Sequence, residues 1–282
     1  MPSTTEITVS QLSRLIGTPV APVLIDVRTP EDLAADPRIL PAARCFDYQS
    51  VAQWAATFTG RDAVIICQRG QKLSQGVAAW LRHAGIRAET LEGGFEAWRE
   101  AGGLLVMTTV LPRRHAAGHT VWVTRSRPKI DRIACPWLIR RFVDPQAVFL
   151  FVNAAEVPAV ADRFYATPFD IEDVFWSHRG DHCTFDTMLQ EFGLASKPLD
   201  HLATIVRAAD TAKFELSPQA PGLLAASLGL SRMYRDDLEQ LDASMSLYDA
   251  FYRWCRDAVG ETHDWPTHQQ PIGAQPAGAK IS

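Results

Sequence analysis

The sequence predicts an α/β fold in two parts: a doubly wound α/β domain, followed by an α+β domain that is mostly helical. Two continuous apolar runs, residues 23–27 and 64–67, are typical of strands buried on both faces of a parallel sheet. Helical patterns alternate with these runs through the first hundred residues, and from Thr184 onward the pattern is largely helical. The length of 282 residues suits two domains.

The first domain is predicted to contain alternating strands and helices. Its strands are expected at residues 23–27, 64–67 and 87–91, and its helices at residues 10–16, 50–58, 74–84 and 94–101. We place this domain at residues 1–108. Residues 109–119 lack a clear period and are interpreted as a linker.

The second domain is predicted to open with two strands and two helices and to continue as a helical region. Strands are expected at residues 121–124 and 148–153, and helices at residues 131–142, 155–165, 185–192, 198–209, 222–228 and 236–258. We place this domain at residues 120–265. The tail, residues 266–282, is rich in Pro, Gly, Gln and Ala and is predicted to be disordered.

Composition is that of an ordinary globular protein, with 47% apolar and 21% charged residues. The net charge of −4 argues against a nucleic-acid partner. An apolar run of about 18 residues, as a membrane span requires, is not found, and the N-terminal segment does not resemble a secretory signal. The cysteines number five and form no Cys-x-x-Cys pair, which predicts reduced thiols and a cytoplasmic location.

Cys67 lies where a predicted buried strand gives way to a loop and then a helix. Backbone N–H groups and the positive end of the helix dipole stabilise a thiolate and any anion brought to it. Gly70 permits the positive φ that a tightly curled loop requires. Lys72 is expected to hold an anion's oxygens, while Arg69 either assists or faces solvent. The alternative is a structural cysteine in the core.

Three segments resemble the rhodanese family of sulfurtransferases, over about residues 6–106. They are Leu-Ile-Asp-Val-Arg at residues 24–28, Cys-Gln-Arg-Gly-Gln-Lys at residues 67–72, and Leu-Glu-Gly-Gly-Phe-Glu-Ala-Trp at residues 91–98. One departure is Ile-Leu-Pro-Ala-Ala at residues 39–43, where the family usually has His-Ile-Pro-Gly-Ala.

The resemblance implies a rhodanese-type enzyme that moves sulfane sulfur from a thiosulfate-like donor to a thiol or protein acceptor. In such enzymes a cysteine, here Cys67, becomes a persulfide and no cofactor is required. The loop residues implied to bind substrate are Gln68, Arg69, Gly70, Gln71 and Lys72. Asp26 and Arg28 are interpreted as a buried pair that supports this loop.

Residues of about 120–265 resemble the C-terminal domain of the chromate-resistance protein ChrB. The segments that carry the resemblance are residues 129–142, 177–186 and 205–211. The resemblance implies a link to chromate resistance, and an alternative function as a module that senses or detoxifies an oxyanion such as chromate. ChrB has a DNA-binding region ahead of this domain. A rhodanese-like segment occupies that place here, so a transcriptional role is not carried over.

Arg132 and Arg140 are candidate oxyanion ligands in the second domain. They lie eight positions apart in a predicted helix, which puts them on one face, and guanidinium groups bind oxyanions through paired N–H groups. The alternative is a solvated or salt-bridged helix surface. Cys135 is interpreted as a buried residue beside Trp137, with a redox-active thiol as its alternative.

Several side chains of metal-ligand type follow in the same domain: Asp170, Glu172, Asp173, His178, His182, Cys183, Asp186 and Asp210. His178, Asp186 and Asp210 are predicted to converge on one divalent metal ion, because histidine and carboxylates commonly share such a site. Their spacing is not diagnostic. A metal-free polar site, or capping and surface roles, are the alternatives.

Overall fold

The computed structural model describes residues 5–116 and 118–261. The elements of its first half are β1 (Glu6–Ile7), α1 (Val9–Leu15), β2 (Val23–Asp26), α2 (Pro30–Ala35), β3 (Arg38–Ile39), β4 (Arg44–Cys45), α3 (Val51–Trp54), β5 (Ala63–Ile66), α4 (Lys72–His83), β6 (Ala88–Leu91), α5 (Gly94–Glu100) and β7 (Val106–Met107). The predicted tail at residues 266–282 lies outside the described residues.

A parallel sheet with the strand order β1-β6-β5-β2-β4 organises the first half. All four residues of β5, the central strand, are buried. The α/β fold class predicted for this half is confirmed. The short strands β1, β3, β4 and β7 and the helix α2 were not predicted, because elements of this length carry too little hydrophobic periodicity to be recognised.

The second half has a smaller sheet and a helical region. Its elements are β8 (Val121–Arg125), α6 (Asp131–Leu138), β9 (Val148–Val152), α7 (Val157–Phe164), β10 (Thr167–Pro168), α8 (Thr184–Phe192), α9 (Lys197–Asp210), α10 (Ala220–Met233) and α11 (Asp237–Asp257). The strands pair in parallel in the order β10-β8-β9. The mostly helical α+β class predicted for this half is confirmed.

Helix α6 ends earlier than the prediction of residues 131–142. It is α-helical to Leu138 and continues as a π-helical turn at Ile139–Val143. Pro136 lies inside α6 and has no N–H for the backbone hydrogen-bond ladder. Short 3-10 turns occur at Tyr48–Ser50, Ala55–Phe58, Thr108–Val110, Ala154–Glu156 and Phe214–Leu216.

The two halves share one apolar cluster, which contains residues from Ile7 in β1 to Cys255 in α11. The Ala42 N–H donates to the Phe142 carbonyl at 2.6 Å, and Arg44 donates to Gln146 at 2.9 Å. Ala42 stands where the rhodanese motif has glycine, and its φ of 60° is in the left-handed region that favours glycine. The departure at residues 39–43 therefore lies at the contact between the halves. The predicted domain boundaries stay a prediction.

Among the helices of the described residues, none combines the length and the apolar character needed to cross a bilayer. All five cysteines are free.

Candidate active site

Cys67 follows β5 directly, at the carboxyl end of the central strand. Its side chain is buried, with 4% of the residue exposed, and α4 begins at Lys72. Functional sites of open parallel sheets lie beyond the carboxyl ends of the strands, which is where Cys67 is placed. The expected strand–loop–helix context of this cysteine is present.

Ser74 is a polar neighbour of the Cys67 sulfur. Its Oγ lies 3.2 Å from Sγ and 3.1 Å from the Gln71 carbonyl oxygen, and the residue is fully buried. A hydroxyl has one proton, so Ser74 donates either to the Gln71 carbonyl or to the sulfur. Sequence reasoning did not select Ser74. The signal that could have found it was a small polar residue in the first turn of the helix that follows the candidate nucleophile.

The loop from Cys67 to α4 presents unpaired backbone donors. Within the described parts of the chain, the N–H groups of residues 68–72 donate to no protein acceptor. Gly70 has a φ of 67°, the positive value that the sequence analysis expected. N–H groups in a curled loop and at a helix N-terminus form anion-binding concavities. The arrangement suits an anion brought next to the sulfur.

The start of α5 packs on the backbone of this loop. The N–H of Phe95 donates to the Cys67 carbonyl and that of Glu96 to the Gln68 carbonyl, both at 3.0 Å. A Cβ atom on Gly94 would lie 2.3 Å from the Cys67 oxygen and 2.4 Å from the Gly70 nitrogen. Only glycine allows so close an approach of two backbones. The Gly-Gly element thus fixes the shape of the loop.

The polar side chains predicted to bind substrate have different surroundings. The Arg69 Nε atom lies 3.3 Å from a Glu96 carboxylate oxygen, and Gln68 Nε2 donates to the same carboxylate at 3.2 Å. The Oε1 atom of Gln68 is buried without a hydrogen-bond partner in the described structure. Gln71 and Lys72 are exposed. Lys72 is therefore an accessible cation at the loop's end, and Arg69, whose side chain is 71% exposed, is paired with Glu96.

Asp26 and Arg28 form the buried pair that the sequence analysis expected. Arg28 Nε contacts both Asp26 oxygens, at 3.2 and 2.9 Å, and its other nitrogens donate to the carbonyls of Asp36 and Arg38. The guanidinium lies 3.8 Å from the centre of the Phe95 ring. Burial raises the pKa of Asp26, and Arg28 opposes this rise. The pair links β2 to α5, the helix that shapes the cysteine loop.

The two candidate oxyanion arginines are held by different carboxylates. Arg132 Nε lies 3.3 Å from Asp170, and its Nη1 donates to the Ser126 carbonyl at 3.0 Å. Arg140 donates to Asp242 of α11 at 2.7 Å. Each guanidinium thus has its own carboxylate partner, and oxyanion binding by either arginine stays a prediction. Arg140 also lines a cavity between the two halves of the molecule.

His178 lies within a cluster of carboxylates. Its Nε2 atom is 3.3 Å from Asp170 Oδ1, 3.4 Å from Asp131 Oδ2 and 3.5 Å from Asp210 Oδ2. Hydrogen bonding to Asp131 and Asp170 raises the pKa of His178 to about 10. Burial, with the charge of Asp131, raises the pKa of Asp210 to about 7. The predicted pair of His178 and Asp210 is brought together.

Asp186 does not join this cluster, which corrects the predicted ligand set. Its Oδ1 atom accepts from Arg207 at 2.6 Å, and its Oδ2 atom accepts from the Cys183 N–H at 3.0 Å, at the start of α8. Asp131 and Asp170 were outside the predicted ligand set, because chain distance gives no sign that they approach His178. Cys135, near this cluster, is fully buried; burial and Asp131 raise its pKa well above the usual value, which favours the structural interpretation.

Comparison with known proteins agrees with both resemblances. Residues 8–101 match a family model described as "Rhodanese-like domain", and residues 122–255 match one described as "ChrB, C-terminal domain". Protein ChrB of Cupriavidus metallidurans is 32% identical over 145 residues, which cover 50% of this chain and 43% of that protein. The match thus spans less than half of the relative's length.

Solved structures match about a third of the chain. A rhodanese-like domain protein from Staphylococcus aureus is 30% identical, with 34% of this chain and 91% of that chain covered and a TM-score of 0.30. A rhodanese-related protein from Thermoplasma volcanium is 21% identical, with 36% of this chain and 98% of that chain covered and a TM-score of 0.33.

Proposed function

We propose that this chain, which joins a rhodanese-like domain to a ChrB C-terminal domain, is a sulfurtransferase that carries sulfane sulfur on Cys67. The observation that carries the proposal is the position of the Cys67 sulfur, at the end of the central strand and next to a loop of unpaired backbone donors. A thiolate nucleophile and an anionic donor both require such surroundings.

The proposed reaction has two steps. The Cys67 thiolate attacks the outer sulfur of thiosulfate, a sulfur–sulfur bond to Cys67 forms, and sulfite leaves with the electron pair of the broken bond. An acceptor such as cyanide then attacks the outer sulfur of the persulfide. Thiocyanate leaves, and the Cys67 thiolate is restored. No external oxidant or reductant enters this cycle.

The loop has a separate role in each step. Its backbone N–H groups and Lys72 bind the oxygens of thiosulfate and of the departing sulfite. The Ser74 hydroxyl turns from the Gln71 carbonyl to the sulfur when negative charge develops there. The α5 contacts keep the loop in the curled shape that both steps need.

Replacement of Ser74 by alanine is expected to slow the first step. A hydrogen bond to a charged group contributes about 1.5–3 kcal/mol, so kcat/KM for thiosulfate should fall by about ten-fold or more in Ser74→Ala. The matched control is Ser13→Ala, since the Ser13 hydroxyl bonds only the local Ser10 carbonyl in α1. Steady-state kinetics of both variants check this, and an unchanged kcat/KM in Ser74→Ala would remove Ser74 from the mechanism.

The experiment that tests the function is the release of thiocyanate from thiosulfate and cyanide by the whole chain. Both halves are kept together because they share an apolar core. Turnover that saturates with thiosulfate supports the proposal. Absence of turnover with cyanide and with small thiol acceptors would refute it.

A second candidate function is the binding of a tetrahedral oxyanion, with chromate suggested by the ChrB resemblance. The observation that favours it is a cavity of about 200 Å³ between the halves, which is lined by Arg44, Arg61, Arg140 and Arg141. Burial and the nearby Arg114 lower the pKa of Arg44, as expected where positive charges gather. Such a cavity attracts a dianion.

Equilibrium dialysis with chromate tests this second function. We expect Arg44→Ala to weaken chromate binding by about ten-fold or more, because one charged contact is lost. The control is Arg163→Ala on the exposed face of α7. Chromate binding that is absent in the wild type, or equal in both variants, would exclude the cavity as a chromate site.

A further inference from the structure

The carboxylate cluster around His178 is remote in sequence from the cysteine loop and takes no part in the proposed sulfur transfer. Asp131 lies in the first turn of α6, Asp170 follows β10, His178 precedes α8, and Asp210 ends α9. Four separate segments of the second half thus bring their side chains to one point. Asp131, Asp170 and His178 each offer a ligand atom, and these atoms lie within 4.8 Å of one another.

Three carboxylate oxygens lie at nearly equal distances from His178 Nε2, which is more than its one N–H can serve. His178 Nε2 is 3.3, 3.4 and 3.5 Å from the three carboxylate oxygens. A good N–H···O bond spans about 2.7–3.2 Å. Ligand atoms about 2.0–2.1 Å from a tetrahedral ion stand about 3.3–3.4 Å apart. The three separations from the imidazole nitrogen are close to that edge length.

Asp131 supplies an independent sign of a missing partner. The residue is 1% exposed, and its Oδ1 atom is buried with no hydrogen-bond partner among the described residues. A buried carboxylate oxygen without a partner costs free energy, which a cation would recover. Its Oδ2 atom accepts from the Thr184 N–H at 2.6 Å. The carboxylate is therefore oriented while part of its binding capacity is unused.

Thr184 orients a second carboxylate of the cluster. Its hydroxyl donates to Asp170 Oδ1 at 2.8 Å, while its N–H holds Asp131. Groups that fix metal ligands in this way are a regular part of metal sites. The sequence predicts Thr184 only as the first residue of a helix. Its contacts with the two carboxylates are seen only in the structure.

The charge of the cluster also favours a cation. Three carboxylates face one imidazole in this cluster. Arg132 and Arg125 lie 3.3 and 3.6 Å from Asp170 Oδ2 and offset part of this charge. A divalent ion among the carboxylate oxygens would favour their ionised form.

We propose that Asp131, Asp170 and His178 bind a divalent metal ion, with Asp210 as a fourth group facing it. The ligand set of one imidazole and several carboxylates suits Mn²⁺, Fe²⁺ or Zn²⁺. The His178 side chain is 42% exposed, which gives the ion a path from solvent to the otherwise buried carboxylates. The site is independent of Cys67 and of the sulfur-transfer proposal.

Metal titration of the whole chain tests this site. Chelator-treated wild-type protein is expected to bind one equivalent of Mn²⁺ or Zn²⁺, measured by calorimetry. We expect His178→Ala to weaken the affinity by about 100-fold or more, since losses at supporting residues alone reach that size. The control is His182→Ala, because His182 is an exposed histidine of the same loop.

Two further measurements keep the test decisive if His178→Ala folds poorly. Asp131→Asn keeps the shape of the side chain and removes its charge, and it should also lose the metal. Co²⁺ bound to wild-type protein should show the visible absorption of a nitrogen- and oxygen-ligated ion. A wild type that binds neither Mn²⁺ nor Zn²⁺, or a His178→Ala protein that binds like His182→Ala, would overturn the proposal.

Discussion

Cys67→Ser is expected to abolish sulfur transfer from thiosulfate to cyanide. The serine hydroxyl occupies almost the same space but does not form the sulfur–sulfur bond on which turnover depends, and at neutral pH it is not ionised. Removal of a catalytic nucleophile commonly costs several orders of magnitude, so we expect kcat to fall by at least about 1,000-fold. Thiocyanate release under saturating thiosulfate measures this effect.

Cys45→Ser is the matched control, because Cys45 is an exposed cysteine of the same sheet, in β4. Its turnover should equal that of the wild type. The thermal unfolding of both variants should remain close to that of the wild type, because the change from sulfur to oxygen is small. Turnover that persists in Cys67→Ser, or is lost in Cys45→Ser, would contradict the assignment of the nucleophile.

Gly94→Ala is expected to distort the cysteine loop and destabilise the protein. The residue has a φ of 62°, and an added Cβ would lie 2.3 Å from the Cys67 carbonyl oxygen. Left-handed backbone and overpacking each cost energy, so the free energy of unfolding should fall by about 2–4 kcal/mol. Displacement of the sulfur by about 1 Å should lower kcat/KM by about 100-fold.

Gly76→Ala separates this effect from the general consequence of adding a methyl group. Gly76 lies in α4. Apart from the backbone of its own helix and its chain neighbours, no atom of the described residues lies within 4 Å of a Cβ atom added there. Alanine is the better helix former, so the free energy of unfolding should rise by about 0.5–1 kcal/mol with turnover unchanged. For both variants, urea unfolding measures the free energy of unfolding and thiocyanate release measures turnover. Equal behaviour of Gly94→Ala and Gly76→Ala would show that α5 does not shape the loop.

Much of the first half was predictable because its signals are local. The buried run before Cys67 predicts a central strand, and the turn into a helix pattern predicts where the thiol lies. The buried contact of Asp26 with Arg28 follows from two residues close in the chain. The role of Ser74 was missed, because a small polar residue in the first turn of a helix is a weak sequence signal of contact with a sulfur atom.

The second half shows where sequence reasoning reaches its limit. His178 and Asp210 were selected by residue type, but the approach of Asp131 and Asp170 depends on how α6 and the segment after β10 pack. Asp186 was selected by the same criterion. Its carboxylate instead accepts hydrogen bonds from Arg207 and from the Cys183 N–H. Competition between such partners is decided by tertiary packing, which spacing along the chain does not encode.

The central claim is that Cys67 carries sulfane sulfur, and mass spectrometry of the protein after incubation with thiosulfate tests it most directly. We expect the intact mass to increase by one sulfur atom, peptide mapping to place that atom on Cys67, and subsequent addition of cyanide to remove it. A mass that does not change, or a sulfur atom found on another cysteine while Cys67 stays unmodified, would contradict the claim.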